Sequence, residues 1–112
     1  NRTAVARRAL ALGNDILIVC AGTDGAISAD DLIAAGAIAD AVCREATVAV
    51  EATDIVKVCC MLYVDWAEGR ADLSATFHYA RLVRLGFTED VRFCFTPDVT
   101  DVVPVYENGI IR

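Results

Sequence analysis

Apolar residues follow two different spacings near the start of the chain, and each spacing predicts a different element. Residues 3–12 carry apolar side chains at helical spacing, with Thr3 as the predicted N-cap and Gly13 as the stop. Ile16–Cys20 is an unbroken apolar run, which is typical of a strand covered on both faces in a parallel sheet. The pattern therefore predicts a helix followed by a core strand.

A glycine-bearing turn and a capped helix are predicted after this strand. Gly22 and Gly25 lie in the turn, and Ser28 with Asp31 three residues later forms a capping box. The small residues that follow, among them Gly36, allow a helix to approach a sheet closely. A strand, a turn and a helix in this order make half of a β-α-β unit.

The second half of the chain predicts two more helices, a short strand and a hairpin. Helical spacing favours helices over Thr53–Glu68 and Ala71–Leu85, and Val91–Phe95 is predicted as a strand. Asn108-Gly109 is a strong hairpin signal, and the nearby prolines place this hairpin at a sheet edge. We predict one α/β domain over residues 1–112, a layered sheet with flanking helices, a ligand site at a β–α loop and a C-terminal edge hairpin.

Composition and charge narrow the classes of function. The 112 residues are 56% hydrophobic, which excludes disorder, and a net charge of −6 disfavours binding to nucleic-acid phosphates. Charged residues interrupt every apolar run before it reaches the roughly 20 residues of a membrane span, so no membrane partner is expected. Five cysteines without a CxxC pair indicate reduced, mostly buried thiols and a cytoplasmic location.

Candidate chemistry concentrates in the loop Cys20–Gly25, at the carboxyl end of the predicted strand. Ligands bind there in open α/β sheets, because amides of the turn and of the next helix converge on an anion, and glycines let the backbone approach a phosphate. Asp24 could hold a divalent metal or transfer a proton, while Cys20 or Thr23 could supply a nucleophile or a donor. The alternative is a tight structural turn that needs glycine, with Cys20 packed inside.

A second group of polar residues lies on the predicted helix Ala71–Leu85. Ser74, His78 and Arg81 follow at i, i+4 and i+7 and would share a face. His78 could protonate a leaving oxygen and Arg81 could bind an anionic group. The alternative is a core histidine beside leucines. In a later loop, Asp98 and Asp101 are either further metal ligands or solvated acids.

These residues resemble the C-terminal half of the 2-phosphosulfolactate phosphatase family. The motifs that carry the resemblance are Ile16–Gly25, Ser28-x-Asp30-Asp31 with Ala35–Ile38, Ser74-x-x-x-His78, Leu85-Gly86-Phe87, Glu89-Asp90-Val91-x-Phe93-Cys94 and Asp98–Val105. The resemblance implies a Mg²⁺-dependent enzyme that hydrolyses the phosphate ester of 2-phospho-3-sulfolactate to sulfolactate and phosphate, a step linked to coenzyme M synthesis in methanogens.

The residue patterns and the resemblance together give expected roles to individual residues. The expected catalytic residues are Asp24, Cys20 and His78, with Asp24 also the expected metal ligand. The residues expected to bind the phosphate-ester substrate are Asn1, Gly22, Thr23, Gly25, Ser74 and Arg81. One departure from the family lies beside this set, since Tyr79 stands where the family commonly has glycine.

Members of this family are about twice as long as this chain, and their N-terminal half carries an Asp-x-x-Arg-Ala-Thr motif that the 112 residues do not contain. Phosphoryl transfer depends on positioning both the phosphate and the metal, so the chain by itself is expected to be inactive. An apolar face meant for the missing half favours a homo-oligomer. The competing hypothesis is a non-catalytic α/β module that dimerises and at most binds a small anion.

Overall fold

A computed structural model describes all 112 residues, Asn1–Arg112, as a mixed α/β fold of five helices and one two-stranded antiparallel sheet. The helices are α1 (Arg2–Ala11), α2 (Ala29–Glu45), α3 (Asp54–Ala67), α4 (Phe77–Arg84) and α5 (Thr88–Cys94). The strands are β1 (Tyr106–Glu107) and β2 (Ile110–Ile111). No helix is both long enough and apolar enough to pass through a bilayer.

Helix α2 is the centre of the packing, since it contacts α1 on one side and α3 on another. Ala6 of α1 is buried against Ala41 and Val42 of α2. Nearer the start of α2, Ile33 packs with Tyr63 of α3 and with Leu73. Two small apolar clusters on one helix thus fix the relative positions of the first three helices.

Gly36 lets α2 and α3 approach each other closely. A Cβ built at this position would lie 2.1 Å from the carbonyl oxygen of Cys59 and 2.9 Å from the Cβ of Tyr63. Both distances are shorter than real Cβ contacts, so no larger residue fits without moving a helix. The prediction that Gly36 serves a close approach is confirmed, although its neighbour is a helix and not a sheet.

The predicted core strand Ile16–Cys20 is wrong for this chain, because the segment has no regular secondary structure. Leu17 is 86% exposed and Val19 is 80% exposed. A strand needs a neighbouring backbone to accept and donate its hydrogen bonds, and no segment of the 112 residues lies beside this one as a strand. The layered parallel sheet is accordingly not formed here.

The predicted strand Val91–Phe95 is also wrong, because Val91 to Cys94 belong to helix α5. The amide of Val91 donates to the carbonyl of Phe87 at 3.0 Å, which is a helical hydrogen bond. Glu89 and Asp90 lie in the first turn of α5, where acidic side chains favour a helix through its dipole. Local hydrogen bonding outweighs the β-propensity of this valine- and phenylalanine-containing stretch.

The helix predicted over Ala71–Leu85 begins only at Phe77. Asp72 accepts hydrogen bonds from the amide and the hydroxyl of Ser74, at 2.8 and 2.7 Å. These two bonds lower the pKa of Asp72. Such local side-chain bonds compete with helix formation, so the residues before Phe77 form turns instead.

Two other predicted elements are confirmed. Helix α3 matches the prediction of Thr53–Glu68 to within one residue at each end. Asn108 and Gly109 have φ values of 51° and 83° and connect β1 to β2, as the Asn-Gly signal predicts. The hairpin stands alone, because the larger sheet whose edge it was expected to form is not present.

Asp98 ties a distant loop to the first turn of α1. The amide and the hydroxyl of Thr3 donate to its carboxylate at 2.9 and 2.8 Å, and these bonds lower the pKa of Asp98 to about 2. Arg2 adds a weaker contact at 3.4 Å. Helix α1 begins at Arg2 with Asn1 as its N-cap, so Thr3 lies inside the helix. The prediction of Thr3 as the N-cap is wrong.

The cysteines are free thiols, but the expectation that most of them are buried is wrong. Only Cys59, at the α2–α3 contact, is buried. Cys60 is half-buried, and the other three are exposed: Cys20, Cys43 and Cys94. The exposed thiols lie on surfaces that these 112 residues do not cover.

Replacing Gly36 tests the α2–α3 contact. We expect Gly36→Ala to lower the free energy of unfolding by roughly 3 kcal/mol, because the added methyl group forces two backbones apart. Urea unfolding followed by circular dichroism measures this change. Ala34→Ser, at an exposed position of the same helix, is expected to change stability by less than about 0.5 kcal/mol. Equal stability of the Gly36→Ala and wild-type chains would contradict the contact.

The low pKa of Asp98 predicts an acid-sensitive contact. A carboxyl whose pKa is lowered in the folded state stabilises the fold above its unfolded pKa of about 4, and this contribution is lost as the pH falls toward 2. We expect the free energy of unfolding to fall less steeply between about pH 5 and pH 2 in Asp98→Asn than in the wild type. Urea titrations at several pH values measure the two slopes, and identical slopes would refute the assignment.

Candidate functional site

The structure brings together the two groups of polar residues, whose contacting members are 55 and 57 positions apart in the sequence. The Thr23 hydroxyl lies 3.1 Å from Nδ1 of His78. One residue further along the loop, Asp24 accepts a hydrogen bond from Nη1 of Arg81 at 2.9 Å. The loop Cys20–Gly25 therefore lies against one face of α4, and its two polar residues pair with the two polar residues of that face.

The loop contains a tight turn that requires glycine. Thr23 and Ala26 exchange backbone hydrogen bonds, each at 3.0 Å. Asp24 and Gly25 between them have φ values of 52° and 79°, as in the two-residue turns that need positive φ at both positions. Gly22 also has a positive φ of 71°, and a Cβ there would lie 2.5 Å from the carbonyl oxygen of Ala26.

Only part of this turn is free to bind an anion. The amide of Gly22 donates to the carboxylate of Asp31 at 2.6 Å, and the amide of Thr23 donates to Ala26. The amides of Asp24 and Gly25 have no acceptor within the chain. The predicted phosphate cradle is thus reduced to two backbone N–H groups beside the guanidinium of Arg81.

Four side chains form a ring of polar contacts at the start of α2. The hydroxyls of Thr23 and Ser28 lie 3.3 Å apart, and the Ser28 hydroxyl donates to Oδ1 of Asp30 at 2.5 Å. The second carboxylate oxygen of Asp30 lies 3.9 Å from Nε2 of His78. The ring closes through the contact between His78 and Thr23.

This ring can hold and pass a proton. When Nδ1 of His78 carries a proton it donates to Thr23, which then donates to Ser28. The Asp30 carboxylate at the end of this path also faces the other side of the imidazole, 3.9 Å from Nε2. Ser28 is 5% exposed while His78 and Asp30 are each 29% exposed, so the ring is shielded at one point and open to solvent at others. Histidine in such a setting is suited to donating a proton.

Cys20 is the least suited of the expected catalytic residues to act as a nucleophile. Its thiol donates to the carbonyl oxygen of Asp31 at 3.6 Å. Desolvation and the nearby charge of Asp31 raise the pKa of the Cys20 thiol. The thiolate is the reactive form of cysteine, so a raised pKa works against nucleophilic catalysis.

Two of the residues expected at the substrate site lie apart from the turn. Ser74 is outside helix α4 and is held by Asp72, so it does not share the face of His78 as the predicted helix implied. The side-chain amide of Asn1 donates to the carbonyl of Val102 at 2.9 Å. Asn1 nevertheless lines the same cavity as His78.

Members of the polar ring line two cavities. The larger, about 910 Å³, is lined by residues of all five helices and is mostly apolar, with Tyr79 among its lining residues and with Asn1, Asp30 and His78 contributing polar groups. The smaller, about 250 Å³, is lined on one side by the loop glycines Gly22 and Gly25. The polar ring lies between an apolar pocket and a glycine turn, which is an arrangement that suits a small polar ligand.

The residues of this chain do not by themselves form a metal site. No group of three or more histidine, cysteine, aspartate or glutamate side chains is close enough to hold a metal ion. Asp24, the expected metal ligand, is instead paired with Arg81. Asp98 is occupied by Thr3. Mg²⁺ is usually bound through one or two carboxylates together with waters and substrate phosphates, and both expected carboxylates, Asp24 and Asp98, have partners within the chain.

Ser28 and Asp30 were not among the site residues predicted from the sequence. Their positions at the start of a helix favoured a cap and a helix-dipole role, and Ser28 is indeed the N-cap residue of α2. Its hydroxyl, however, contacts Asp30 and Thr23 and makes no cap hydrogen bond. One feature of the sequence could have indicated Ser28. It follows Gly25 by only three residues, so the side chain of the N-cap residue lies beside the glycine turn.

Comparisons with known proteins identify the family. The family model described as 2-phosphosulpholactate phosphatase matches residues 1–109. Similar curated proteins are each named "Probable 2-phosphosulfolactate phosphatase" and come from Caldanaerobacter subterraneus subsp. tengcongensis, which is 40% identical over 113 aligned residues, and from Clostridium tetani, which is 36% identical over 112.

In both comparisons the alignment covers 100% of this chain but only 46% and 47% of the relative. A third protein of the same name, from Clostridium beijerinckii, is 32% identical over 99% of this chain and 46% of its own length. The chain thus spans about half the length of the curated relatives it matches. It belongs to the 2-phosphosulfolactate phosphatase family.

Proposed function

We propose that this chain supplies the proton donor and part of the anion-binding site of a phosphatase that hydrolyses 2-phospho-3-sulfolactate to sulfolactate and phosphate. The observation that carries the proposal is the convergence of Thr23 and Asp24 on His78 and Arg81. The names of the relatives support the reaction class and the substrate. The relatives are about twice as long as this chain, so the proposed chemistry is that of the whole protein.

His78 is the proposed general acid. In hydrolysis of a phosphate monoester, water forms a bond to phosphorus and the bond between phosphorus and the ester oxygen breaks. The ester oxygen leaves with the electron pair of that bond and takes a proton to become the alcohol of sulfolactate. His78 gives up this proton to the ester oxygen. The attacking water keeps one proton as the hydroxyl of hydrogen phosphate and releases the other to solvent, and His78, which is 29% exposed, takes up a proton from solvent, so the enzyme returns to its starting state.

Arg81 and the free amides of the turn are the proposed contacts for the phosphate. The chain carries a net charge of −6, and the substrate carries phosphate, sulfonate and carboxylate groups, so binding requires local positive charge. Arg81 is paired with Asp24 but is 43% exposed, and Asp24 is 73% exposed. An exposed ion pair of this kind contributes little stability, so a phosphate can replace the carboxylate at the guanidinium.

Magnesium dependence, which the family resemblance implies, is a proposal for the whole protein. No group of three or more histidine, cysteine, aspartate or glutamate side chains is present to hold the ion, so the further ligands would come from substrate phosphate, water or residues outside the 112. If phosphate replaces the Asp24 carboxylate at the guanidinium of Arg81, that carboxylate becomes available to bind the metal ion. For the same reason we expect the 112-residue chain alone to lack phosphatase activity.

Substitution of His78 in a full-length phosphatase that carries this sequence tests the general acid. We expect His78→Gln to lower kcat by about 10²–10⁴-fold, because glutamine cannot donate a proton to the leaving oxygen. Phosphate release from 2-phospho-3-sulfolactate measures the rate. The matched control is Arg84→Gln, since Arg84 is exposed on the same helix and forms no ion pair. A rate within twofold of the wild type for His78→Gln would refute this role.

Substitution of Arg81 tests the phosphate contact. We expect Arg81→Lys to weaken the inhibition constant of inorganic phosphate by roughly tenfold, because lysine lacks the planar guanidinium that binds two oxygens at once. Arg84→Lys is the control and is expected to leave that constant unchanged. If phosphate binds Arg81→Lys and the wild type equally, the anion lies elsewhere. Binding of phosphate without any turnover by the wild-type enzyme would favour the non-catalytic module instead.

A further inference from the structure

Three stretches of six or more residues make no backbone-to-backbone hydrogen bonds: residues 14–21, residues 47–52 and residues 97–104. The first lies before the glycine turn and the second lies between α2 and α3. We refer to these two, which flank α2, as the bare segments. Backbone N–H and C=O groups are obligatory hydrogen-bonding groups, and in folded proteins nearly all of those that become buried are paired. Each bare segment therefore offers a free backbone edge.

The first bare segment has two unequal faces. Cys20 is tied to α2 through its hydrogen bond to the carbonyl of Asp31. Ile16 and Ile18, which alternate with Leu17 and Val19, are less exposed than those two residues, which are 86% and 80% exposed. Alternation of this kind is typical of a strand whose inner face rests on helices. The outer face of this segment is apolar and uncovered.

The second bare segment is exposed from residue 47 to residue 51 and carries two valines at alternate positions. Val48 is 75% exposed and Val50 is 40% exposed, and the two are separated by one residue as on one face of a strand. Helix α2, of 17 residues, connects the two bare segments. A segment, a helix and a second segment in this order make the crossover that joins two parallel strands.

We propose that Ile16–Cys20 and Val48–Val50 are strands of a parallel sheet that is completed by the part of a full-length family member lying outside these 112 residues. That part adds at least one strand against the free edge of Ile16–Cys20. It also adds a layer that covers Leu17 and Val19. The two segments form no hydrogen bonds with each other in this chain, so each keeps an unpaired backbone edge.

The length of the relatives favours the remainder of a full-length family member as the occupant of this free edge. They align with all of this chain and have about as much sequence again beyond it. A second copy of the chain is a poorer fit. Two copies related by a twofold axis pair their edge strands antiparallel, whereas a continuous apolar run is typical of parallel strands covered on both faces.

Hydrogen–deuterium exchange tests this proposal without reference to activity. The samples are the 112-residue chain and the full-length Caldanaerobacter relative, and the amides of Ala39–Val42, buried in α2, serve as the protected reference. In the isolated chain we expect the amides of Ile16–Cys20 to exchange within about tenfold of an unstructured peptide. In the full-length relative we expect the aligned amides to exchange at least about 1,000-fold more slowly, as in a core strand.

Three results would overturn the proposal. Fast exchange of the aligned amides in the full-length relative would show that no strand is added there. Slow exchange of Ile16–Cys20 in the dilute 112-residue chain would show that no partner is needed. Protection that rises with the concentration of the 112-residue chain, and is absent from the full-length relative, would identify a second copy as the occupant.

Discussion

The hydrogen bond between the Asp31 carboxylate and the Gly22 amide connects the packed part of the molecule to its candidate site. Asp31 lies in the first turn of α2, and the body of that helix packs against α1 and α3. Because Gly36 allows α2 and α3 to approach so closely, the start of α2 is held in a fixed place. The hydrogen bond from Gly22 to Asp31 therefore fixes the position of the glycine turn relative to the start of α2.

The position of the turn determines which polar groups meet. Thr23 reaches both Ser28 at the start of α2 and His78 on α4, and Asp24 reaches Arg81 one helical turn further along. The same contacts that place these groups also occupy them, since one loop amide donates to Asp31 and the expected metal ligand pairs with an arginine. In the function that we propose, a substrate phosphate competes with these internal partners, and the Arg81–Asp24 pair is the exposed one among them.

The need of each element for backbone hydrogen-bond partners explains why the structure is rich in helices and poor in sheet. Helices satisfy their own backbone hydrogen bonds, so α2 and α3 form with only their neighbours for support. Strands depend on a second backbone, and the bare segments have none within the chain. Only the hairpin of β1 and β2 pairs with itself, because a two-residue Asn-Gly turn brings its two strands together.

The sequence by itself determined the features that depend on local chemistry. These are the extent of α3, the hairpin at Asn108-Gly109 and the left-handed glycine turn. Tertiary structure alone decided that the apolar run Ile16–Cys20 remains unpaired, that Val91 lies in a helix, and that Ser28 and Asp30 join His78 in one ring. The physical reason is that periodicity and turn chemistry act over a few residues, whereas strand pairing and the meeting of polar side chains depend on which distant backbones are present and where helix packing places them.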